Sequence, residues 1–379
     1  MPGIYIHIPF CKTPCNYCNF HFSTSLNMKK DYVNALLKEI KIQSIYLGLE
    51  KIDTIYFGGG TPSLLDEKDL TSIFDALKQN YTISNDAEIT LEANPDDIEL
   101  EKLENWKKVG INRLSIGTQS FFDRDLEFMK RAHNAEQAKN SILLAAENGF
   151  DNLTIDLIYG VPGLSDEEWM QNLKMAMDLP IQHLSCYALT VEEDTILYHQ
   201  IRKGQTIAPV DEHASEQFDI LIQFAKENDM EHYEISNFSK EGFVSKHNSS
   251  YWQNEKYLGL GASAHSFDGF SRQWNIANNK KYIDSLNENI IPFELEILSD
   301  TDRLNEYIMT GLRTKWGIDL AYVDLNFDKK KEFMNKIGKE DPSMFEWRIK
   351  RTNKGTSFIY NLSDKGKHFA DRIASNLFF

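Results

Sequence analysis

The stretch GIYIHIPFCKTPCNYCNF, Gly3–Phe20, carries two signals in eighteen residues. Its first six residues alternate, with Ile4, Ile6 and Ile8 on one face and Tyr5 and His7 on the other, the period of a β-strand. Directly after this strand come Cys11, Cys15 and Cys18, three of the four cysteines of the chain, spaced Cys-x3-Cys-x2-Cys. Working outward, IDTIYF, AEITLEA, INRLSIG, DNLTIDLIYG and IQHLSCYAL read as five further strands, and EHYEISNF as a seventh edge element. Helical runs separate them. DYVNALLKEI sets Val33, Leu36, Leu37 and Ile40 on one face, Ser165 and Glu168 have the spacing of a capping box, and EQAKNSILLAAENGF and ASEQFDILIQFAKEND carry the same 3.6-residue period. Strand–helix alternation of this kind implies parallel strands joined by right-handed crossovers. Six such units predict an α/β fold, an open (β/α)6 partial TIM-type barrel.

In such a barrel the site lies where the strands end. The unusual residues of this chain fall there: the cysteines after strand one, Gly58, Gly59, Gly60 and Thr61 after strand two, Glu92 at the end of strand three and Gln119 after strand four. Beyond about residue 290 the rhythm changes, and a small, mostly helical C-terminal domain with a short hairpin is expected. The organisation predicted is a core over 1–240, a connecting segment over 241–290 and a C-terminal domain over 291–379.

The 379 residues suffice for a large α/β domain and a smaller one. A net charge of −16 opposes phosphate backbones and argues against general nucleic-acid binding. No apolar run is long enough to span a bilayer, and the first residues do not read as a secretory signal, so a cytoplasmic protein is expected. Four cysteines are no disulfide framework. Cys186, alone in an apolar stretch, reads as a small buried hydrophobe.

Thiolates are soft ligands suited to iron–sulfur clusters and to zinc. Two readings of the trio stay open: a zinc knuckle completed by His21, or a cluster with three irons held by thiolates and one iron open to a chelating molecule. The pattern Cys-x3-Cys-x-aromatic-Cys, with Tyr17 as the aromatic residue, resembles the radical S-adenosylmethionine (SAM) superfamily. The resemblance implies a 4Fe-4S cluster on Cys11, Cys15 and Cys18 whose unique iron takes the amino and carboxylate groups of SAM. It also implies that YFGGGTPS contacts the methionine part.

A narrower resemblance covers most of the chain. IYIHIPFC, GGGTPS, IGTQSF, IDLIYGVPG and CYALTVEE follow in the order seen in oxygen-independent coproporphyrinogen III oxidases and their relatives. By that resemblance Tyr5, Tyr17, Gly59, Gly60, Thr61, Glu92, Gln119, Arg131, Asp156 and Ala188 are expected in the SAM site, some of them at a second SAM. The decarboxylating oxidases carry a fourth cysteine where Phe20 stands, and an extension before the first strand, which here begins by Gly3. Both departures match the related HemW group of heme chaperones. SKHNSSYWQNEKYLGLGASAHSF, Ser245–Phe267, carries that group's His-Asn-x-x-Tyr-Trp motif as His247, Asn248, Tyr251 and Trp252. Imidazole is a good axial ligand for heme iron, and aromatic rings can pack on a porphyrin. His247 is therefore the expected heme-iron ligand, with Tyr251 and Trp252 beside it and His265 a second candidate.

The resemblance implies a chaperone that binds heme and passes it to apoproteins such as respiratory heme proteins, with cluster and SAM taking part. The alternative is a coproporphyrinogen III dehydrogenase using SAM-derived radicals. A homodimer and peripheral contact with a membrane are compatible with either.

Overall fold

The computed structural model describes residues 1–352 and 355–379. The six expected strands form: β1 (Gly3–Ile8), β2 (Ile52–Gly59), β3 (Ile83–Ala93), β4 (Arg113–Gln119), β5 (Leu153–Tyr159) and β6 (His183–Ala188). They pair in sequence order, all parallel, with β1 in register on β2 from Gly3↔Thr54 to Ile8↔Gly59. The alternation of β1 acts as read: Ile4, Ile6 and Ile8 are buried against the outer helices. The helix Lys29–Ile42 supplies Val33, Leu36 and Ile40 to the same core. Ser165 and Glu168 make the reciprocal capping box that starts the helix Asp166–Met177.

Two features extend the sequence reading. The seventh edge element is a hairpin, β7 (Glu231–Glu234) and β8 (Asn237–Ser239), with β8 antiparallel to β6. On the opposite side the sheet continues through β9 (Tyr257–Leu260), β10 (His265–Phe267), β11 (Ser271–Asn275) and β12 (Phe293–Ile297). β9 lies parallel to β1, and β10 to β12 follow antiparallel. The hydrogen-bonded sheet thus runs through the expected connecting segment and on to Ile297, in the order β12-β11-β10-β9-β1-β2-β3-β4-β5-β6-β8-β7. β1 and β6 do not pair with each other among the described residues, so the barrel is open, and each has an added strand on its free side.

A second hydrophobic core gathers Leu304, Ile308, Leu312, Phe333, Ile373 and Leu377. Around it lie the helices Asp300–Leu312, Leu320–Phe327, Lys330–Ile337 and Ala370–Leu377 and a sheet of β13 (Ile318–Asp319), β14 (Phe345–Thr352) and β15 (Gly355–Leu362). It is mostly helical with a hairpin, as expected. No helix among the described residues is long and apolar enough to cross a membrane.

A buried polar knot fastens the added strands to the barrel. Glu39, fully buried in the helix Lys29–Ile42, accepts from Gly261 N at 2.7 Å, Asn275 Nδ2 at 2.6 Å and Tyr282 Oη at 2.5 Å. Burial pushes its pKa up, and the three donors oppose that shift.

Candidate functional site: a cysteine-lined cleft and an aromatic cleft

The loop after β1 is shaped before any ligand is considered. Cys11 N donates to Ser23 O at 3.0 Å and Ser23 N to Pro9 O at 2.9 Å, closing the loop at its neck. Asn16, between the second and third cysteines and 2% exposed, donates through Nδ2 to Phe128 O at 2.6 Å and accepts from Leu197 N at 2.7 Å. The loop is thereby fixed to chain segments after β4 and β6. Gly60 is required at its position, because a Cβ there would stand 2.7–2.8 Å from the backbone of Ile8 and Phe10. Gly59 has φ +109° and would drive a Cβ into the His7 ring.

Cys11, Cys15 and Cys18 are free, half-buried thiols on one wall of a cleft of about 430 Å3 at the carboxyl ends of the strands. Tyr17, Gly59, Gly60, Thr61, Glu92, Gln119, Arg131, Asp156 and Ala188 line the same cleft, so nine of the ten residues expected beside SAM share it. Tyr5 is the exception. It lines a second cleft, its ring stacked on Tyr56 at 6.2 Å and its hydroxyl 3.0 Å from His7 Nδ1. Asn94, Ser115 and Tyr187 also line the first cleft, and the sequence reading missed them. Asn94 had a usable signal, standing two residues after Glu92 at the same strand end.

The electrostatics separate the groups. Arg131 donates through Nη1 to Cys15 Sγ at 3.1 Å, and through Nη2 to Asn94 Oδ1 and Gly117 O, both at 2.8 Å. A guanidinium so held places a fixed positive charge beside the thiols. Burial pushes the Cys11 thiol up to about 11 and raises Cys18. Glu92 accepts from Tyr56 Oη at 2.8 Å and from Gly59 N at 3.3 Å. Burial lifts its pKa to about 7, against the Tyr56 hydrogen bond, and that of Asp156 to about 6. Gln119 ends β4 after a register shift and holds φ at +68° without being glycine, backbone strain of the kind stored at functional sites.

The donor set fits an iron–sulfur cluster. Three thiols face one cavity, and neither a fourth cysteine nor a histidine lines it among the described residues. His21, the alternative zinc ligand, faces the second cleft, with Nε2 2.8 Å from Asn279 Oδ1. Iron would supply the positive charge that half-buried thiolates require.

The second cleft, about 410 Å3, adjoins the first through Phe20, which lines both. Tyr251 and Trp252 form part of its wall, from the helix Lys246–Trp252. Glu88 anchors the start of that helix, accepting from Lys246 N at 3.1 Å and His247 N at 3.0 Å. His247 itself lies behind that wall. It is 1% exposed, with Nδ1 2.8 Å from Thr54 Oγ1 and Nε2 2.8 Å from Tyr251 Oη, and its ring stacks on Tyr56. Both nitrogens are engaged, and neither is offered to a cavity. The motif places its aromatic residues at a cleft and its histidine behind them.

A six-unit parallel barrel with three cysteines after its first strand defines a class, and residues 5–176 match the family model for the radical SAM superfamily. The chain is 36% identical over 369 residues to the heme chaperone HemW of Bacillus subtilis, a match spanning 97% of this chain and 92% of that protein. Against the heme chaperone HemW of Escherichia coli the identity is 34% over 265 residues, 69% of each. The chain belongs to the HemW family. Among solved structures, coproporphyrinogen III oxidase (HemN) from Escherichia coli superposes with a TM-score of 0.83 at 22% identity, covering 99% of this chain and 90% of that one, a likeness of fold.

Proposed function

We propose that this protein binds heme and delivers it to a heme-requiring apoprotein, with a 4Fe-4S cluster and SAM held in the cysteine-lined cleft. The observation that carries the reading is the 36% identity, over nearly the whole of both chains, to a relative named a heme chaperone. Phe20 supports it, standing where the decarboxylating oxidases are expected to carry a cysteine and bordering an aromatic cleft instead.

Cys11, Cys15 and Cys18 would hold three irons, leaving one for the amino and carboxylate groups of SAM. When bound, the cluster supplies an electron that can cleave a carbon–sulfur bond of SAM. The chain's own part is positioning. Gly59 and Gly60 let backbone approach the methionine end, Glu92 accepts hydrogen bonds from ribose hydroxyls, and Arg131 fixes Cys15 and the end of β4. The acceptor is a heme-requiring apoprotein such as a respiratory heme protein, met in the cytoplasm or at a membrane surface. The proposed organisation keeps a core over 1–240, a heme-motif segment over 241–290 whose strands extend the core sheet, and a C-terminal domain over 291–379 that is entered through β12, the last strand of that sheet.

One consequence concerns pH. Glu92 accepts from ribose through both oxygens, and most strongly, as a carboxylate, and burial in the free protein lifts its pKa to about 7. SAM hydrogen-bonded to the charged form lowers that pKa, so binding releases a proton below it. SAM affinity is expected to be full above about pH 7.5 and to fall as pH drops, approaching tenfold per unit below the pKa. Isothermal titration from pH 5.5 to 8.5 checks this, and Glu92→Gln, which cannot titrate, should flatten the profile while weakening binding throughout.

The function is tested by loading the reconstituted protein with heme and mixing it with a heme-free acceptor. Growth of the acceptor's own heme spectrum is the expected result. Conversion of coproporphyrinogen to protoporphyrinogen by the same preparation, with no heme transfer, would overturn the proposal.

A further inference from the structure

We infer that His265, on β10, is the imidazole that holds the heme iron, and that the aromatic cleft between the cysteine loop and β9–β11 is the heme site. The inference rests on the heme-binding reading above and goes beyond it by naming the ligand and the cleft. An axial ligand must offer a free nitrogen lone pair to a space large enough for a porphyrin face. His247 offers neither nitrogen, and His7, also at this cleft, is spent as well. Its Nε2 donates to His21 O at 2.9 Å, and its Nδ1 accepts from Tyr5 Oη at 3.0 Å. His21 is fixed through Nε2 to Asn279 Oδ1 at 2.8 Å, which leaves only its Nδ1 unpaired, whereas both nitrogens of His265 are open. His265 is exposed, lines the cleft, and has no hydrogen-bond partner on either ring nitrogen among the described residues. Partial burial of the ring and the charge of Arg272 hold its pKa below the ordinary histidine value, a shift that favours the neutral imidazole.

The surroundings complete a porphyrin site. Tyr251 and Trp252 supply apolar ring surface, and Phe20, 66% exposed, stands at the junction with the cysteine-lined cleft. Arg272 lines the cleft with its guanidinium over the Phe267 ring at 5.0 Å. Its Nε donates to Glu306 at 2.6 Å and its Nη1 reaches Tyr257 Oη at 3.4 Å, so donors remain for a carboxylate of the cargo. The backbone is shaped to deliver His265 to this place. Gly259 lies so close to β10 that a Cβ would stand 2.0 Å from His265 O, and Gly261, at φ +103°, turns the chain between β9 and β10. His265 lies on a strand, with its ring stacked on Trp274, and does not depend on a loop for its position.

Hemin titration of the full chain, followed by difference absorbance and by electron paramagnetic resonance, tests the assignment. Wild type is expected to show a histidine-ligated spectrum. His265→Ala should lose it and weaken hemin binding at least about tenfold, the lower end of the loss seen when even an outer partner of a metal ligand is removed. Its circular dichroism and iron content should stay unchanged. Free imidazole should restore the ligated spectrum in His265→Gly, a result that a merely structural role would not give. His247→Gln should keep the ligated spectrum. A ligated spectrum that survives His265→Ala, or that is abolished by His21→Ala or His247→Gln alone, would overturn the assignment. Wild type that takes up no hemin would instead overturn the heme-binding reading itself, and the assignment with it.

Discussion

Cys15→Ala is expected to abolish the cluster: iron falls from about four per chain to near background, and the broad visible absorbance is lost. The three thiols stand on one wall of the cleft, and no other cysteine or histidine among the described residues lines it to substitute. Removing one leaves two ligands for a cluster that already has one open iron. Cys186→Ala is the matched control, because that thiol is 1% exposed on β6 and outside the cleft, and iron should be retained in full. Arg131 sharpens the expectation. Its Nη1 is directed at Cys15 Sγ, so Cys15→Ala leaves a buried guanidinium without its sulfur partner, beside a Nε that already lacks one. Anaerobic reconstitution with iron and sulfide, followed by iron and zinc analysis, decides the matter. One zinc per chain, with no iron–sulfur absorbance in wild type, would contradict the cluster.

Glu39→Ala is expected to cost on the order of 2–5 kcal/mol of stability, about 1–3 kcal/mol for each buried donor left without an acceptor. The substitution strands Gly261 N and Tyr282 Oη, both buried, and leaves Asn275 Nδ2 with Gly261 O alone. Thermal unfolding should fall by about 5 °C or more. Glu39→Gln separates charge from shape. Its oxygen can still accept from Gly261 and Tyr282, while its amide meets the Asn275 amide donor to donor. The loss should then be about 1–2 kcal/mol. If Asn275 turns its side chain over, its Oδ1, which is buried and unpartnered, would accept from the new amide at the expense of its bond to Gly261 O. The folded-state pKa of Glu39 is raised, so its contribution is fullest below its unfolded pKa and declines as pH rises through the folded value. Chemical denaturation at pH 5 and pH 8 should show that decline in wild type and a flatter profile in Glu39→Gln. Because Gly261 and Asn275 flank β10, hemin binding by Glu39→Ala should weaken along with stability.

The barrel was legible because its signals are local. β1 announces itself in six residues, Ser165 and Glu168 mark a helix start three apart, and the cysteine spacing needs only eight residues of context. The cysteine-lined cleft was legible for a related reason: parallel strands point their carboxyl ends one way, so residues at successive strand ends must converge. Nine of the ten residues named for SAM by resemblance share that cleft. Tyr5 does not, because its ring stacks on Tyr56 and its hydroxyl meets His7, which sets it in the second cleft.

The strands β9 to β12 escaped the sequence reading because they are three to five residues long, and β9 and β10 are interrupted by glycine or led by histidine, too short for a period to show. For them pairing is decided by β1, some 250 residues earlier, and by the Glu39 knot, which no window of sequence contains. The same distance governs the histidines. The sequence by itself determined that a histidine stands four and five residues before two aromatic residues, and the helix Lys246–Trp252 that sets them one turn apart came with the structure. Only the tertiary structure decided which imidazole is free, since Thr54 and Tyr251 fill both nitrogens of His247 and Gly259 sets His265 against an open cleft. A side chain's residue type fixes what it can donate or accept. Whether that capacity is already used depends on neighbours that only folding brings within 3 Å.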